Sequence, residues 1–384
     1  MNIAKTKLNY AKLAPVMLAF FSMGFVDLVG IATNYVKADF NLSDGIANLL
    51  PSMVFFWFLI FSVPTGMLMD RIGRRMTVVI SLIITAISLT IPFISYSYVM
   101  MMLSFALLGI GNTLMQVSLN PLVSNLITGN KLASALTFGQ FVKAIASFIA
   151  PLIAAWAAAS LGDWKMFYPF FMGIAVIASI WLGMTSIEEE PLKEKPSTFG
   201  ECFKLLGNKF TLLCFIGIIC HVGIDVGTNV TAPKILIETM GLDLCAAGIA
   251  TSVYFLFRTI GCLTGSIILA RWSVRKFFIV SSVMLFAGIV GLFFTKSIVA
   301  IYACVGLIGY GNSNIFSIIF SQALLHEPDK KNEISGLMIM GLFGGTIFPL
   351  LMGFLSDAVS SQTGAVAILL IGSLYLLSFI RKIK

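Results

Sequence analysis

Apolar residues run along this chain in long, unbroken stretches, and polar residues collect in the short gaps between them. The first stretch begins near Pro15 and continues to about Val36. Others follow near residues 46–69, 76–96, 99–126, 132–160, 166–187, 210–237, 245–270, 275–294, 298–324, 334–357 and 363–380. Most match the roughly 20 apolar residues that a membrane-spanning helix needs. None alternates in segments of about ten, as a transmembrane β-strand does. The pattern predicts an all-α polytopic membrane protein with twelve transmembrane helices. Lys5, Lys7 and Lys12 imitate the basic start of a secretory signal, but the apolar run behind them is too long for one and further spans follow.

Composition agrees with this reading. Of 384 residues, 58% are hydrophobic and 11% charged, whereas a soluble chain carries about 25% charged residues. The net charge of +8 is confined almost entirely to the gaps, which argues against a nucleic-acid partner. With the amino terminus in the cytoplasm, nineteen of the twenty-five Lys and Arg residues fall on that side. The positive-inside rule then predicts that both termini are cytoplasmic. The longest polar gap, with Pro191 and Pro196, predicts a cytoplasmic linker over 188–209 between two domains, 1–187 and 210–384. Cys202, Cys214, Cys220, Cys245, Cys262 and Cys304 show neither disulfide nor metal spacing. With only His221 and His326 besides, no metal and no cofactor are expected.

The two domains repeat one another. Gly109-Ile110-Gly111-Asn112 recurs as Gly309-Tyr310-Gly311-Asn312, and Asp27 recurs as Asp225. Ser134-Ala135-Leu136 recurs as Ser335-Gly336-Leu337, and Pro151-Leu152 as Pro349-Leu350, all at offsets of 198 to 201. Two six-helix bundles in the same orientation are a recurring transporter plan, with substrate bound at their interface.

The turn after span two, Gly66-Met67-Leu68-Met69-Asp70-Arg71-Ile72-Gly73-Arg74-Arg75, resembles the G-x-x-x-D-R-x-G-R-R/K signature of the major facilitator superfamily. The resemblance implies that family's pseudo-symmetric pair of six-helix bundles. It also implies a gating motif at Gly66, Asp70, Arg71, Gly73, Arg74 and Arg75, made and broken on the cytoplasmic face as the halves rock. A degenerate counterpart runs from Gly265 to Arg271 and on to Arg275-Lys276. Asn120-Pro121, Gln140, Val222 to Val226, Arg258 to Gly261, Asn312 to Ser321 and Gly344 to Gly353 are similar to the fucose/galactose/glucose:proton symporter family. That likeness implies uptake of a hexose or deoxyhexose with a proton, by a monomer in the bacterial cytoplasmic (inner) membrane. Its partners would be the sugar, the proton and the lipid bilayer. Two positions depart from the family. Gln116 replaces an acidic residue and Lys143 replaces Asn, while Asp27 stands one helical turn before the family's span-one Asp position, on the same face.

Ionised groups inside a bilayer are costly and mark function or pairing. Asp27 and Lys143 each lie about a dozen residues into a span, so they either form a static ion pair or handle the proton. Asp225 is the third proton-coupling candidate. It can pair with Arg258, or share a hydrogen bond with His221 four residues away. Lys234 stands near a span end and is expected to snorkel. Sugar hydroxyls need paired donors and acceptors, which amides supply. The substrate-binding candidates are therefore Gln116, Asn120, Gln140, Lys143, Asn229, Asn312 and Asn314. Phe316, nominated with Phe138 and Tyr254, could cover the apolar face of the ring. No convergent catalytic set accompanies these residues, so an enzyme is not expected. An acidic-sugar transporter, an uncoupled uniporter and a non-transporting membrane sugar sensor remain as alternatives.

Overall fold

The structure, a computed structural model, describes residues 10–42, 46, 49–127, 129, 131–190, 197–242, 247 and 249–383, without the side chains of 28, 30, 31, 34, 37, 151, 152, 155, 158 and 159. Lys5, Lys7, Cys245, the linker residues 191–196 and the side chains of Pro151 and Leu152 lie outside the described residues. Among the described residues there is no strand, and eleven helical stretches are long and apolar enough to cross a membrane. Only helices or closed barrels satisfy every backbone group in lipid, so unbroken apolar runs become helices.

Span one is interrupted. It runs as Tyr10–Met23, a tight turn at Gly24–Asp27 and then Leu28–Asp39. Spans two to six are Leu49–Ile72, Arg74–Ile94, Tyr98–Leu126, Lys131–Leu161 and Phe167–Met184. A short helix, Phe199–Lys204, precedes span seven, Lys209–Met240. Spans eight and nine are Ile249–Leu269 and Val274–Phe294. Span ten breaks between Ile298–Asn312 and Ile315–His326. Span eleven breaks at Gly341–Phe343, between Lys331–Met340 and Gly344–Val359, and span twelve is Thr363–Phe379. Polar gap residues cap these helices. The Asn208 side-chain oxygen accepts from the Phe210 and Thr211 amides at 2.9 and 3.4 Å, and Ser97 Oγ accepts from Met100 N at 3.3 Å.

The chain forms two compact units. The first comprises Met1–Leu132, Val142–Cys202 and Lys330–Ile339, and the second Ala133–Phe141, Phe203–Asp329 and Met340–Lys384. Span eleven thus begins in the first unit and ends in the second, whereas span five belongs to the first unit except for Ala133–Phe141. Part of the first unit's core gathers Phe25, Phe105, Trp164, Phe167, Tyr168 and Phe171.

The sequence repeat corresponds to repeated contacts inside each unit. A Cβ on Gly109 would stand 2.6 Å from Val54 O, and one on Gly309 would stand 2.6 Å from Tyr254 O, two hundred residues on. The absent side chain lets span four cross span two, and span ten cross span eight, at backbone distance. The repeated serines also act alike. Ser335 Oγ donates to Val117 O, the acceptor that Pro121 cannot reach for want of an N–H, while Ser134 Oγ donates to Ser266 O at 2.6 Å, near the end of span eight.

Candidate functional site

The turn between spans two and three is the most heavily bonded charged region. Gly73 turns it at φ +86°, a conformation open to glycine. Asp70, 2% exposed, accepts from Asn332 Nδ2 at 2.8 Å and from Ser197 N at 3.2 Å. Arg74, 3% exposed, donates from Nε to Asn332 Oδ1 at 2.7 Å, from Nη1 to Asn125 and from Nη2 to Glu190 Oε2 at 3.0 Å. Glu190 Oε1 also takes Lys331 Nζ at 2.8 Å. Glu189 caps span three from outside the helix, accepting from Arg74 N at 2.5 Å and Arg75 N at 3.0 Å. The Arg75 guanidinium closes on the carbonyls of Gly183 and Thr185 at 3.0 and 2.8 Å, whereas Arg71 is exposed. Gly66 admits the start of span eleven, since a Cβ there would meet Asn332 O at 2.8 Å. Partial burial pushes the Glu190 carboxyl up. The Lys331 hydrogen bond and the Arg74 charge outweigh that push and hold its pKa below the ordinary carboxylate value.

Asn332, Glu190, Glu189 and Asn125 were not singled out by sequence. They are ordinary gap or helix-end residues, and only the fold brings them to the motif.

A second polar group belongs to the first unit. Asn112 Nδ2 donates to Met23 O at 2.8 Å, Gln116 Nε2 donates to Asn112 Oδ1 at 2.7 Å, and Asn120 Nδ2 donates to Gln116 O at 2.8 Å. Asn120 Oδ1 is buried with no hydrogen-bond partner. Asp27 is exposed at the break in span one, and its carboxylate accepts from the Ser147 hydroxyl. That hydroxyl lies 3.2 Å from the Lys143 carbonyl oxygen. The turn fits tightly against span five, because a Cβ on Gly24 would stand 2.6 Å from Lys143 O. The static Asp27–Lys143 ion pair that the sequence allowed is not formed. Asp27 takes Ser147, one helical turn beyond Lys143, and among the described residues the Lys143 ammonium has no hydrogen bond or ion pair. Gln140 and Phe138 fall in the second unit, half-buried and 39% exposed respectively.

The second unit carries a polar chain across spans seven, eight and ten. Asp225 Oδ2 lies 3.1 Å from Arg258 Nη1, and Tyr254 OH donates to Asp225 Oδ1. Asn312 Nδ2 donates to Tyr254 OH at 3.1 Å and to His221 O at 3.2 Å, so its Oδ1 faces His221 Nδ1 at 2.8 Å as an acceptor. His221 therefore carries its proton on Nδ1 and bonds Asn312, not Asp225. Asn229 Nδ2 donates to Asp225 O at 2.8 Å, and Asn314 Nδ2 donates to Gly261 O at 3.0 Å. The carbonyl oxygens of Asn229 and Asn314 are buried without a partner. Phe316 is 7% exposed, with its ring 6.0 Å from His221. Tyr254, nominated for its ring, is fully buried and contributes its hydroxyl.

Comparison with known proteins gives the chain its family. A glucose/galactose transporter of Brucella abortus is 27% identical over 375 residues, covering 91% of this chain and 89% of that protein. A crystal structure of the transporter FucP in the outward conformation superposes with a TM-score of 0.82 at 18% identity, covering 97% of this chain and 99% of that one. A structure of the E. coli fucose:proton symporter FucP superposes with a TM-score of 0.77 at 17% identity, over 97% and 99% of the two chains. The family model of the Major Facilitator Superfamily matches residues 16–341. With that match spanning most of its length, the chain belongs to the Major Facilitator Superfamily of multi-pass membrane transporters.

Proposed function

We propose that the protein imports a monosaccharide of the hexose class by proton symport, with alternating access, in the cytoplasmic membrane of a bacterium. Both termini would be cytoplasmic, which puts the Arg74 turn on that side. The observation that carries the coupling is Asp27. It sits exposed at the break in a membrane span, and its hydrogen-bond partner is a neutral hydroxyl. A carboxyl inside a span that is not tied up in an ion pair is the natural proton carrier of this reading. Asp225 is differently placed, with one oxygen on Arg258 and the other on Tyr254, and in this reading its role is structural. The buried carbonyl oxygens of Asn120 and Asn229 add acceptors for sugar hydroxyls within their own units. The relatives support the sugar, being glucose/galactose and fucose:proton carriers. The bonded turn around Arg74 serves as the cytoplasmic gate.

The test is uptake of labelled fucose, galactose, glucose and a uronic acid into proteoliposomes, with an imposed pH gradient and with that gradient collapsed. Gradient-dependent accumulation of a sugar is the expected result. Uptake that ignores the gradient would reduce the protein to a uniporter, and no uptake of any sugar would overturn the assignment.

A further inference from the structure

Among the described residues, Asp27, Lys143, Asp225, Lys234 and Arg258 are charged side chains set back from the ends of the apolar runs, and four of these five have an evident resolution. Asp225 and Arg258 neutralise each other at 3.1 Å. Lys234 is exposed six residues before the end of span seven, within reach of the interface for a long side chain. Asp27 lies exposed at the break in span one and accepts from the Ser147 hydroxyl. Lys143 is the exception. It is the thirteenth residue of the 31-residue span five, half-buried, and among the described residues its ammonium meets neither a carboxylate nor a hydrogen-bond acceptor. An ionised side chain near the middle of a bilayer costs on the order of 2.5–3.5 kcal/mol on insertion scales, and such groups ordinarily find a partner.

We infer that the transported monosaccharide carries a carboxylate, a hexuronate in place of a neutral hexose, and that Lys143 is the group that receives it. This rests on the reading of the chain as a proton-coupled monosaccharide transporter. The position of Asp27 gives the inference its mechanism. Ser147 Oγ donates to the Asp27 carboxylate and lies 3.2 Å from the Lys143 carbonyl oxygen, so the Asp27 carboxylate and the Lys143 backbone meet at one hydroxyl of the first unit. In this proposal an ionised Asp27 opposes a sugar carboxylate bound in the same unit. A proton on Asp27 lifts that opposition, and an anionic sugar is then held most strongly. Proton and uronate each favour the binding of the other by the same factor, as linkage requires. One proton and one monoanionic sugar move together without net charge. The charge-assisted bond from Lys143 also discriminates between substrates, because a neutral hexose would leave the ammonium without its anion.

The experiment uses the full-length protein in proteoliposomes with labelled galacturonate, glucuronate, galactose and glucose, comparing wild type with Lys143→Asn and Lys143→Arg. Size-exclusion profiles and thermal unfolding in detergent establish that each variant is folded. The expected result is proton-dependent uronate uptake by wild type, reduced about tenfold or more in Lys143→Asn and largely kept in Lys143→Arg. Wild-type uptake of neutral hexose that uronates neither match nor inhibit would overturn the inference and leave the monosaccharide symporter reading intact. Uronate uptake unchanged in folded Lys143→Asn would remove Lys143 as the receiving group. Absence of transport for either class by folded protein would sink the underlying reading itself.

Discussion

Asn312 donates to the backbone oxygen of His221 at 3.2 Å, and Asn112, two hundred residues earlier, makes the same bond to Met23 O at 2.8 Å. His221 and Met23 are themselves 198 apart. One amide therefore ties the fourth helix of each repeat to the first, and the Gly-x-Gly-Asn motif is a helix-crossing device. Asn312 additionally holds Tyr254 OH and His221 Nδ1, while Asn112 additionally holds only Gln116. Asn312→Ala should therefore destabilise more than Asn112→Ala, each by about 1–3 kcal/mol. Thermal unfolding in detergent measures both, and equal shifts would contradict the added role of Asn312.

The two repeat-related carboxylates should separate in function. Asp27→Asn should abolish accumulation against a gradient while leaving sugar exchange intact. Asp225→Asn should lower stability by about 1–3 kcal/mol through loss of the Arg258 pair and the Tyr254 bond, with coupled uptake kept by the folded fraction. Counterflow and gradient-driven uptake on both variants decide the matter, and full accumulation by Asp27→Asn would move the proton elsewhere.

Glu190 bridges Arg74 and Lys331. Its pKa is lowered in the folded state, so its contribution to stability is present above the unfolded carboxylate value and is lost as pH falls through the lowered folded one. Wild type should therefore melt above Glu190→Gln at neutral pH, and the gap should close as pH drops below about 4. A gap that persisted in acid would show that the bridge does not depend on the charge of Glu190.

Gly309→Ala places a methyl group 2.6 Å from Tyr254 O. Neither helix backbone can yield without shifting the Tyr254–Asn312 bond, so the variant should lose about 1–3 kcal/mol. Alanine at Gly173, where nothing lies within 4 Å of the added carbon, should be nearly silent by the same melting assay.

Much of the architecture was legible as hydrophobic run length, because lipid forces nearly every apolar stretch of about 20 residues into a helix. The breaks were not. Gly24–Asp27, Ser313–Asn314 and Gly341–Phe343 interrupt spans whose apolar runs continue on both sides of the break, so run length passes over them. The repeat offsets foretold that Asn112 and Asn312 are equivalent, but not that both spend their amides on backbone. Asp225, Arg258 and Asn312 stood out as polar residues in apolar surroundings. Tyr254 did not stand out for its hydroxyl, since a tyrosine among 46 other Phe, Trp and Tyr residues carries no local sign of a carboxylate partner 29 positions away. Asn332 and Glu190 were hidden for the same reason, being 258 and 116 residues from Arg74.

The path of the chain bears on how it is made. Lys330–Ile339 completes the first compact unit, so a ribosome has synthesised 339 of 384 residues before that unit can close. Until then Asp70 and Arg74 wait without Asn332, and Val117 O waits without Ser335. The amino-terminal half produced by itself would present these groups bare to the membrane-insertion and quality-control machinery. A nascent chain stalled before residue 330 should be a degradation substrate, and a short peptide covering that segment should be enough to rescue it.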